Sequence, residues 1–211
     1  NCDEVWRIDD GRLAARGDPR EVLAPTIRRG DGRARILAID TRPVWQQYDQ
    51  SVGASTVVGP GADAALLLLP GTSIGVAATT DCNALACGLD PFNGAAQAVA
   101  EAVRNLACVG AEPVGVTDCL NFGSPENPKV MGQFVAALEG MAEACRAFEV
   151  PVVSGNMSFY NETSGSAILP TPTVGMVGVV PEVRHRPRGT WREGEALYLL
   201  GAVEGELGGS R

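Results

Sequence analysis

Two apolar runs, Ala64 to Leu69 and Ile74 to Thr79, are separated by Pro70-Gly71-Thr72-Ser73. A turn-forming tetrapeptide between two such runs predicts a β-hairpin, whose second strand leads directly into Thr80-Asp81. After Asp90-Pro91-Phe92-Asn93, the positions Val99, Val103 and Leu106 recur at helical spacing, and Ala95, Ala98 and Ala102 widen the stripe. This predicts a helix to about Val109, with Gly110 as the residue just past its end. Pro113 to Leu120 reads as a strand carrying Thr117-Asp118 near its end. A second helix is expected after Asn127, a good N-cap, and Pro128, which suits a first turn. Its core stripe is Met131, Phe134, Leu138, Met141, Cys145 and Phe148. Val150 to Val153 then reads as a short β-branched strand, followed by a loop at Ser154-Gly155-Asn156-Met157-Ser158. A last strand is expected over Thr173 to Val180.

The predicted order is β-β-α-β-α-β-loop-β. Helices with one apolar stripe need a sheet beneath them, so an α/β or α+β sheet with helices on one face follows. Residues 1 to about 41 are rich in Arg, Asp and Gly and are expected to form a connecting segment with a short strand or two, one at Ile36-Leu37-Ala38-Ile39.

Composition narrows the function classes. With 45% hydrophobic and 20% charged residues the chain is an ordinary globular sequence. A formal net charge of -8 disfavours nucleic acid and anionic membranes as partners. Lys129 is the only lysine, and the P-loop pattern is missing. The six cysteines form no C-x-x-C pair, and the lone His185 cannot complete a zinc set at the usual spacings. With neither a signal peptide nor an apolar run long enough to cross a bilayer, the expected setting is the cytoplasm, with reduced thiols. The terminal sequences read as cut ends.

Three polar clusters follow apolar strands: Thr79-Thr80-Asp81, Thr117-Asp118 and Ser154 to Ser158. Ligands gather beyond the carboxyl ends of strands in such sheets. Carboxylate, amide and hydroxyl oxygens with nearby backbone N–H groups suit a Mg²⁺-nucleotide phosphate. The same residue types also make ordinary turns. Nucleophile-elbow and Rossmann patterns are missing, and His185 lies in an Arg/Pro-rich stretch that reads as surface.

Several longer stretches carry a resemblance. They are Gln47-Tyr48-Asp49 through Gly59-Pro60-Gly61, Leu89-Asp90-Pro91, Ala100 to Asn105 running on to Gly110-Ala111-Glu112-Pro113, Thr117-Asp118-Cys119-Leu120-Asn121-Phe122-Gly123, Val152 to Thr163, and Pro170 to Gly178. Over roughly residues 45 to 210 the chain resembles the second homologous half of the large synthetase subunits of phosphoribosylformylglycinamidine synthases, in the aminoimidazole ribonucleotide synthetase-like superfamily. The resemblance implies an α+β fold with a mixed or antiparallel sheet and helices on one face, pairing with a homologous domain into a barrel. It implies a sheet domain over 42–181, with 182–211 as the truncated start of a following α/β domain.

The resemblance further implies an ATP-dependent ligase of purine biosynthesis that converts formylglycinamide ribonucleotide and ammonia to the amidine. Its partners would be the first homologous half of the subunit, a glutaminase subunit or domain that supplies ammonia, and a small accessory subunit. Position by position, it implies that Asp118 and Gly155 contact ATP, Asn156 binds Mg²⁺, and Ser158 contacts the ribonucleotide substrate. The family's catalytic histidine lies in the first half, and His185 does not match it. The isolated chain is therefore expected to lack turnover, to expose an apolar face and to self-associate. Two other readings are a related superfamily enzyme, such as a selenophosphate synthetase or small-molecule kinase, and a half that carries only a structural nucleotide.

Overall fold

The computed structural model describes residues 5–9, 12–17, 42–190, 192–196 and 198. The strand expected at 36–39 and most of the run after Ala196 lie outside these residues. The chain divides into two compact units, Asn1–Asp49 and Gln50–Arg211. In the first, β1 (Val5–Asp9) pairs antiparallel with β2 (Arg12–Gly17), and α1 (Arg42–Trp45) is a single turn.

The second unit is a six-stranded sheet in the order β3-β4-β5-β10-β6-β7. Its strands are β3 (Thr56–Val58), β4 (Ala65–Leu68), β5 (Gly75–Asp81), β6 (Glu112–Asn121), β7 (Val152–Ser158) and β10 (Thr171–Val180). All pairings are antiparallel except β6 with β7. The β4–β5 hairpin forms where the turn tetrapeptide predicts it, with Gly71 at φ +76° and Leu69 N–H donating to the Ile74 carbonyl at 2.9 Å. A small antiparallel pair, β8 (Glu162–Thr163) and β9 (Ser166–Ala167), stands apart from the sheet.

The helices are α2 (Ala84–Leu89), α3 (Pro91–Cys108) and α4 (Pro128–Ala147). Asp90 caps α3 by accepting from Asn93 N–H at 3.0 Å, and Asn127 caps α4 by accepting from Lys129 N–H at 3.0 Å. Both long helices end in the same way. Gly110 N–H donates to Ala107 and Ala111 N–H to Leu106, while Glu149 N–H donates to Arg146 and Val150 N–H to Cys145. This is the Schellman arrangement, which needs a left-handed residue just past the helix. Gly110 adopts φ +78° without steric cost, whereas Glu149 is held at φ +55°.

Burial alternates strictly along β10. Pro172, Val174, Met176, Gly178 and Val180 are buried, and the residues between them are not. The register puts Ala77 of β5 and Val116 of β6 on the same side as Val174 and Met176, together with the fully buried α3 residues Val99, Ala102 and Leu106. Both helices therefore cover one face, and the other face of the sheet is open. The helices approach closely where Gly140 of α4 crosses Phe92 of α3. A methyl group added at Gly140 would lie 2.7 Å from the Phe92 carbonyl carbon.

The segment Ser154 to Ser158, expected as a loop after a strand ending at Val153, is instead most of β7. Thr117-Asp118 does lie toward the end of β6, which runs one residue past the expected Leu120. The cause of the longer β7 is the parallel partner. β7 joins with Val152 opposite Val116, slips by one residue at Val153, and from Ser154 to Ser158 each residue finds a ladder position on β6. Turn-prone Gly, Asn and Ser are tolerated because β7 is an edge strand with exposed side chains.

Candidate functional site

The two most specific sequence motifs are neighbours in space. Parallel pairing aligns Thr117 with Ser154, Asp118 with Gly155, Cys119 with Asn156, Leu120 with Met157, and Asn121 with Ser158. An aromatic trio fixes where both strands end. Phe122 meets Phe134 of α4 edge-on at 5.3 Å between ring centroids, and Phe134 meets Phe159 at 5.1 Å. Such T-shaped contacts pin the strand ends to the first half of α4.

Alternation divides the four expected site residues between the two faces. Asp118 shares the helix-covered face with Val116 and Leu120, and its carboxyl group lies over Gly155. A side chain at 155 would put its Cβ 2.6 Å from the Asp118 Cγ. The missing side chain of Gly155 is thus the space that the carboxylate fills. Asn156 and Ser158 belong to the open face, with Thr117, Cys119 and Asn121. The Ser154 hydroxyl donates to Thr117 Oγ1 across this face at 2.8 Å.

Backbone direction supplies the link between the faces. Phe122 N–H donates to the Ser158 carbonyl at 3.0 Å, so Ser158 turns its peptide groups toward β6. The alternate residues Gly155 and Met157 then turn their N–H and C=O groups to the outer edge, where the sheet ends. A ligand at this edge would meet Gly155 main chain directly, with Asp118 to one side and Asn156 to the other.

The electrostatics of Asp118 are unusual for a carboxylate on an inner strand. Among the described residues no hydrogen bond or ion pair reaches its carboxylate, and burial pushes its pKa up. The thiol of Cys145 on α4 is raised as well, first by burial and then by the Asp118 charge. A desolvated carboxylate without a donor is costly, and this pattern is enriched at functional sites.

Asp81, from the third polar cluster, does not join this group directly. It flanks Val174 of β10 on the far side from Asp118, since both aspartates register on Val174. Asp81 is satisfied locally. Thr79 Oγ1 donates to it at 3.0 Å and Asn105 Nδ2 of α3 at 2.8 Å. Burial raises its pKa, and these two donors work against that. Its role is to tie β5 to α3. An asparagine at 105, within the apolar stripe of α3, was the signal for such a buried acceptor.

Sequence reading missed the part played by Asn161. Its Nδ2 donates to the carbonyls of Phe122 at 3.0 Å and Ser158 at 2.9 Å, and to Ser158 Oγ at 3.1 Å. This amide holds the turn after β7 and touches the hydroxyl of an expected substrate contact. Tyr160, at φ +60°, makes the turn tight enough for that return.

Asn156 presents an exposed amide on the open face. One neutral side-chain oxygen of this kind fits a single position in a Mg²⁺ shell. No group of three or more His, Cys, Asp or Glu residues able to hold a metal occurs among the described residues. No described helix is long and apolar enough to cross a membrane.

Comparison with known proteins agrees with this architecture. Residues 61–180 match the family described as AIR synthase related protein, N-terminal domain. The chain is 55% identical over 209 residues to phosphoribosylformylglycinamidine synthase subunit PurL of Moorella thermoacetica, covering 99% of this chain and 28% of that protein. PurL of T. maritima is similar in structure. In PurLQS the match has a TM-score of 0.66 at 32% identity, over 88% of this chain and 33% of the other. The same protein complexed with ATP matches at TM-score 0.61 and 32% identity, over 85% and 32% of the two chains. Complexed with FGAR it matches at TM-score 0.61 and 33% identity, over 85% and 31%. The chain thus spans about a third or less of the length of these relatives. With its matched sheet domain and its mostly antiparallel sheet under two long helices, the chain belongs to the AIR synthase related protein family, through that family's N-terminal domain.

Proposed function

We propose that this chain is the nucleotide- and substrate-binding sheet domain from the second homologous half of a phosphoribosylformylglycinamidine synthase large subunit. The observation that carries the reading is the juxtaposition of Asp118 and Gly155 at the outer edge of the sheet. A glycine whose N–H faces outward lets a phosphate approach the main chain closely, and only a residue without a side chain leaves room for the carboxylate beside it. Asp118 and Gly155 contact ATP, Asn156 supplies one oxygen to Mg²⁺, and Ser158 donates to the substrate phosphate. Mg²⁺, when bound beside Asn156, would supply positive charge to offset that of the phosphates in phosphoryl transfer to the substrate amide oxygen. The residues of this chain hold and orient the reactants at that edge. The group that handles the amide lies in the first homologous half.

The relatives support the reading. A T. maritima PurL binds ATP and FGAR, and PurLQS is an assembly with further subunits. On this basis the chain is a domain spanning 42–181, between a connecting segment (1–41) and the beginning of a following domain (182–211). It works in the cytoplasm and pairs its open sheet face with the homologous half in a barrel. A glutaminase subunit supplies ammonia, and a small accessory subunit completes the assembly. By itself the chain has no turnover and self-associates through the open face. ATP- and substrate-dependent turnover by the 211 residues alone, or a clean monomer by sedimentation at micromolar concentration, would count against these two statements.

The deciding experiment is Asn156→Ala in the complete subunit. Lost turnover with an unchanged melting temperature supports a catalytic nucleotide site. A lowered melting temperature with little change in rate supports a nucleotide retained only as a structural element.

A further inference from the structure

We infer that Asn161 is a positioning residue that aims the Ser158 hydroxyl at the substrate phosphate; this rests on the reading of Ser158 as a substrate contact. A serine hydroxyl has one hydrogen to give, and a phosphate dianion can only accept. Whether Ser158 binds phosphate therefore depends on where that hydrogen points. Asn161 Nδ2 lies 3.1 Å from Ser158 Oγ, and the alternative bond from Ser158 Oγ to Asn161 Oδ1 is longer, at 3.3 Å. When the amide donates, it occupies a lone pair of the serine oxygen and leaves the serine hydrogen for an outside acceptor. Without ligand the hydrogen rests on Oδ1; with a phosphate in place it turns outward, and the amide contact stays.

The amide itself cannot turn over. Its two hydrogens also serve the Phe122 carbonyl at 3.0 Å and the Ser158 carbonyl at 2.9 Å, so the contact to Ser158 Oγ shares one N–H with a carbonyl, and a flipped amide would bring an oxygen against both carbonyls. The ring of contacts closes through the backbone, because Asn161 N–H donates to the Phe122 carbonyl at 3.2 Å and Ile168 N–H to the Asn161 carbonyl at 3.0 Å. Phe122 is anchored in turn on Phe134. The amide donor to Ser158 Oγ is therefore fixed before any ligand arrives, and on binding only the serine hydrogen has to turn.

The test is steady-state kinetics of the complete subunit with ammonia as nitrogen source, together with thermal melts. Asn161→Ala is expected to raise KM for formylglycinamide ribonucleotide roughly tenfold, the scale of one charge-assisted hydrogen bond, while kcat and the ATP KM change less than about twofold. Ser158→Ala is expected to raise the same KM by a similar factor, and Asn161→Ala added to it should raise it no further. Should Asn161→Ala fail to fold, Asn161→Asp keeps the side-chain size, though its second oxygen then faces the two carbonyls, and its carboxylate captures the serine hydrogen and repels phosphate. It should raise the ribonucleotide KM by more than tenfold relative to the unsubstituted subunit, and by less at low pH, where the new carboxyl group is protonated.

An unchanged ribonucleotide KM in Asn161→Ala with a lowered melting temperature, or an undiminished effect of Asn161→Ala in the Ser158→Ala background, would overturn the inference. For Asn161→Asp the overturning result is an unchanged KM, or a KM increase that does not vary with pH. An unchanged KM in Ser158→Ala alone would instead sink the reading of Ser158 on which the inference rests.

Discussion

The Asp118 carboxylate occupies the volume that any side chain at Gly155 would need, with Asp118 Cγ 2.6 Å from where that Cβ would stand. The two residues are 37 positions apart in sequence and adjacent in the parallel β6–β7 ladder. Two kinds of glycine contact can therefore be compared. At Gly155 the obstacle is the movable end of a side chain, and at Gly140 it is the backbone of Phe92.

Gly155→Ala should consequently cost little stability and much function. The Asp118 carboxyl can swing away, so the expected loss in a denaturant melt is below about 1 kcal/mol. The ATP KM of the complete subunit should rise about tenfold, since both the carboxylate position and main-chain access are disturbed. An unchanged ATP KM would remove Gly155 from the nucleotide site.

Gly140→Ala should behave in the opposite sense. The new methyl group meets the Phe92 carbonyl, which cannot move without parting α3 from α4. The expected cost is about 2–3 kcal/mol in urea or thermal unfolding. Any loss of activity should track the loss of folded protein, with KM values for the folded fraction unaltered.

Asp118→Asn should stabilise the fold at neutral pH. Because burial raises the Asp118 pKa above the ordinary 3.8, the folded state holds its proton more tightly than the unfolded chain does. Stability then falls as pH rises from about that ordinary value through the raised one. The asparagine variant lacks this loss, so its advantage should appear across that window and persist at pH 7. Partial exposure limits the gain to about 1 kcal/mol or less, a rise of about 2–4 °C in melting temperature. A variant less stable than the parent at pH 7 would mean that the carboxylate is held by favourable contacts. A more stable protein with a weakened ATP KM would mark Asp118 as retained for binding at a cost to the fold.

Glu149→Gly should also stabilise. Glu149 sits at φ +55° to close the Schellman turn of α4, the position that Gly110 fills after α3. Relief of the left-handed strain is expected to add about 0.5–1 kcal/mol, after the larger entropy of an unfolded glycine is subtracted. The same exchange in reverse, Gly110→Ala, should destabilise. Its Cβ would also lie 2.7 Å from Pro187 Cδ.

Much of the fold was legible because it is written in local chemistry. Asn127 and Pro128 start α4, Gly110 ends α3, and the Pro70 to Ser73 turn makes the hairpin. Each of these acts within a few residues of itself. What was hidden depends on distant partners. Ser154 to Ser158 reads as a turn until β6 is beside it, and only the register reveals that Asp118 and Gly155 point one way while Asn156 and Ser158 point the other. The Schellman turn at Glu149 was equally silent, because nothing in a glutamate announces a left-handed backbone. The division of the candidate site across both faces is a property of pairing, and no single stretch of sequence contains it.

The outer edge of β7 also bears on strand addition by other chains, apart from any pairing of the open face. A parallel-paired strand with outward N–H and C=O groups is a template on which another chain could add a strand and begin an aggregate. The edge opens with the exposed Val152 and Val153 and then runs on as Ser-Gly-Asn-Met-Ser, poor in the branched and aromatic residues that such addition needs. The composition proposed to suit a phosphate is thus, over those five residues, also a poor seed for fibres, so one short stretch would serve both ends.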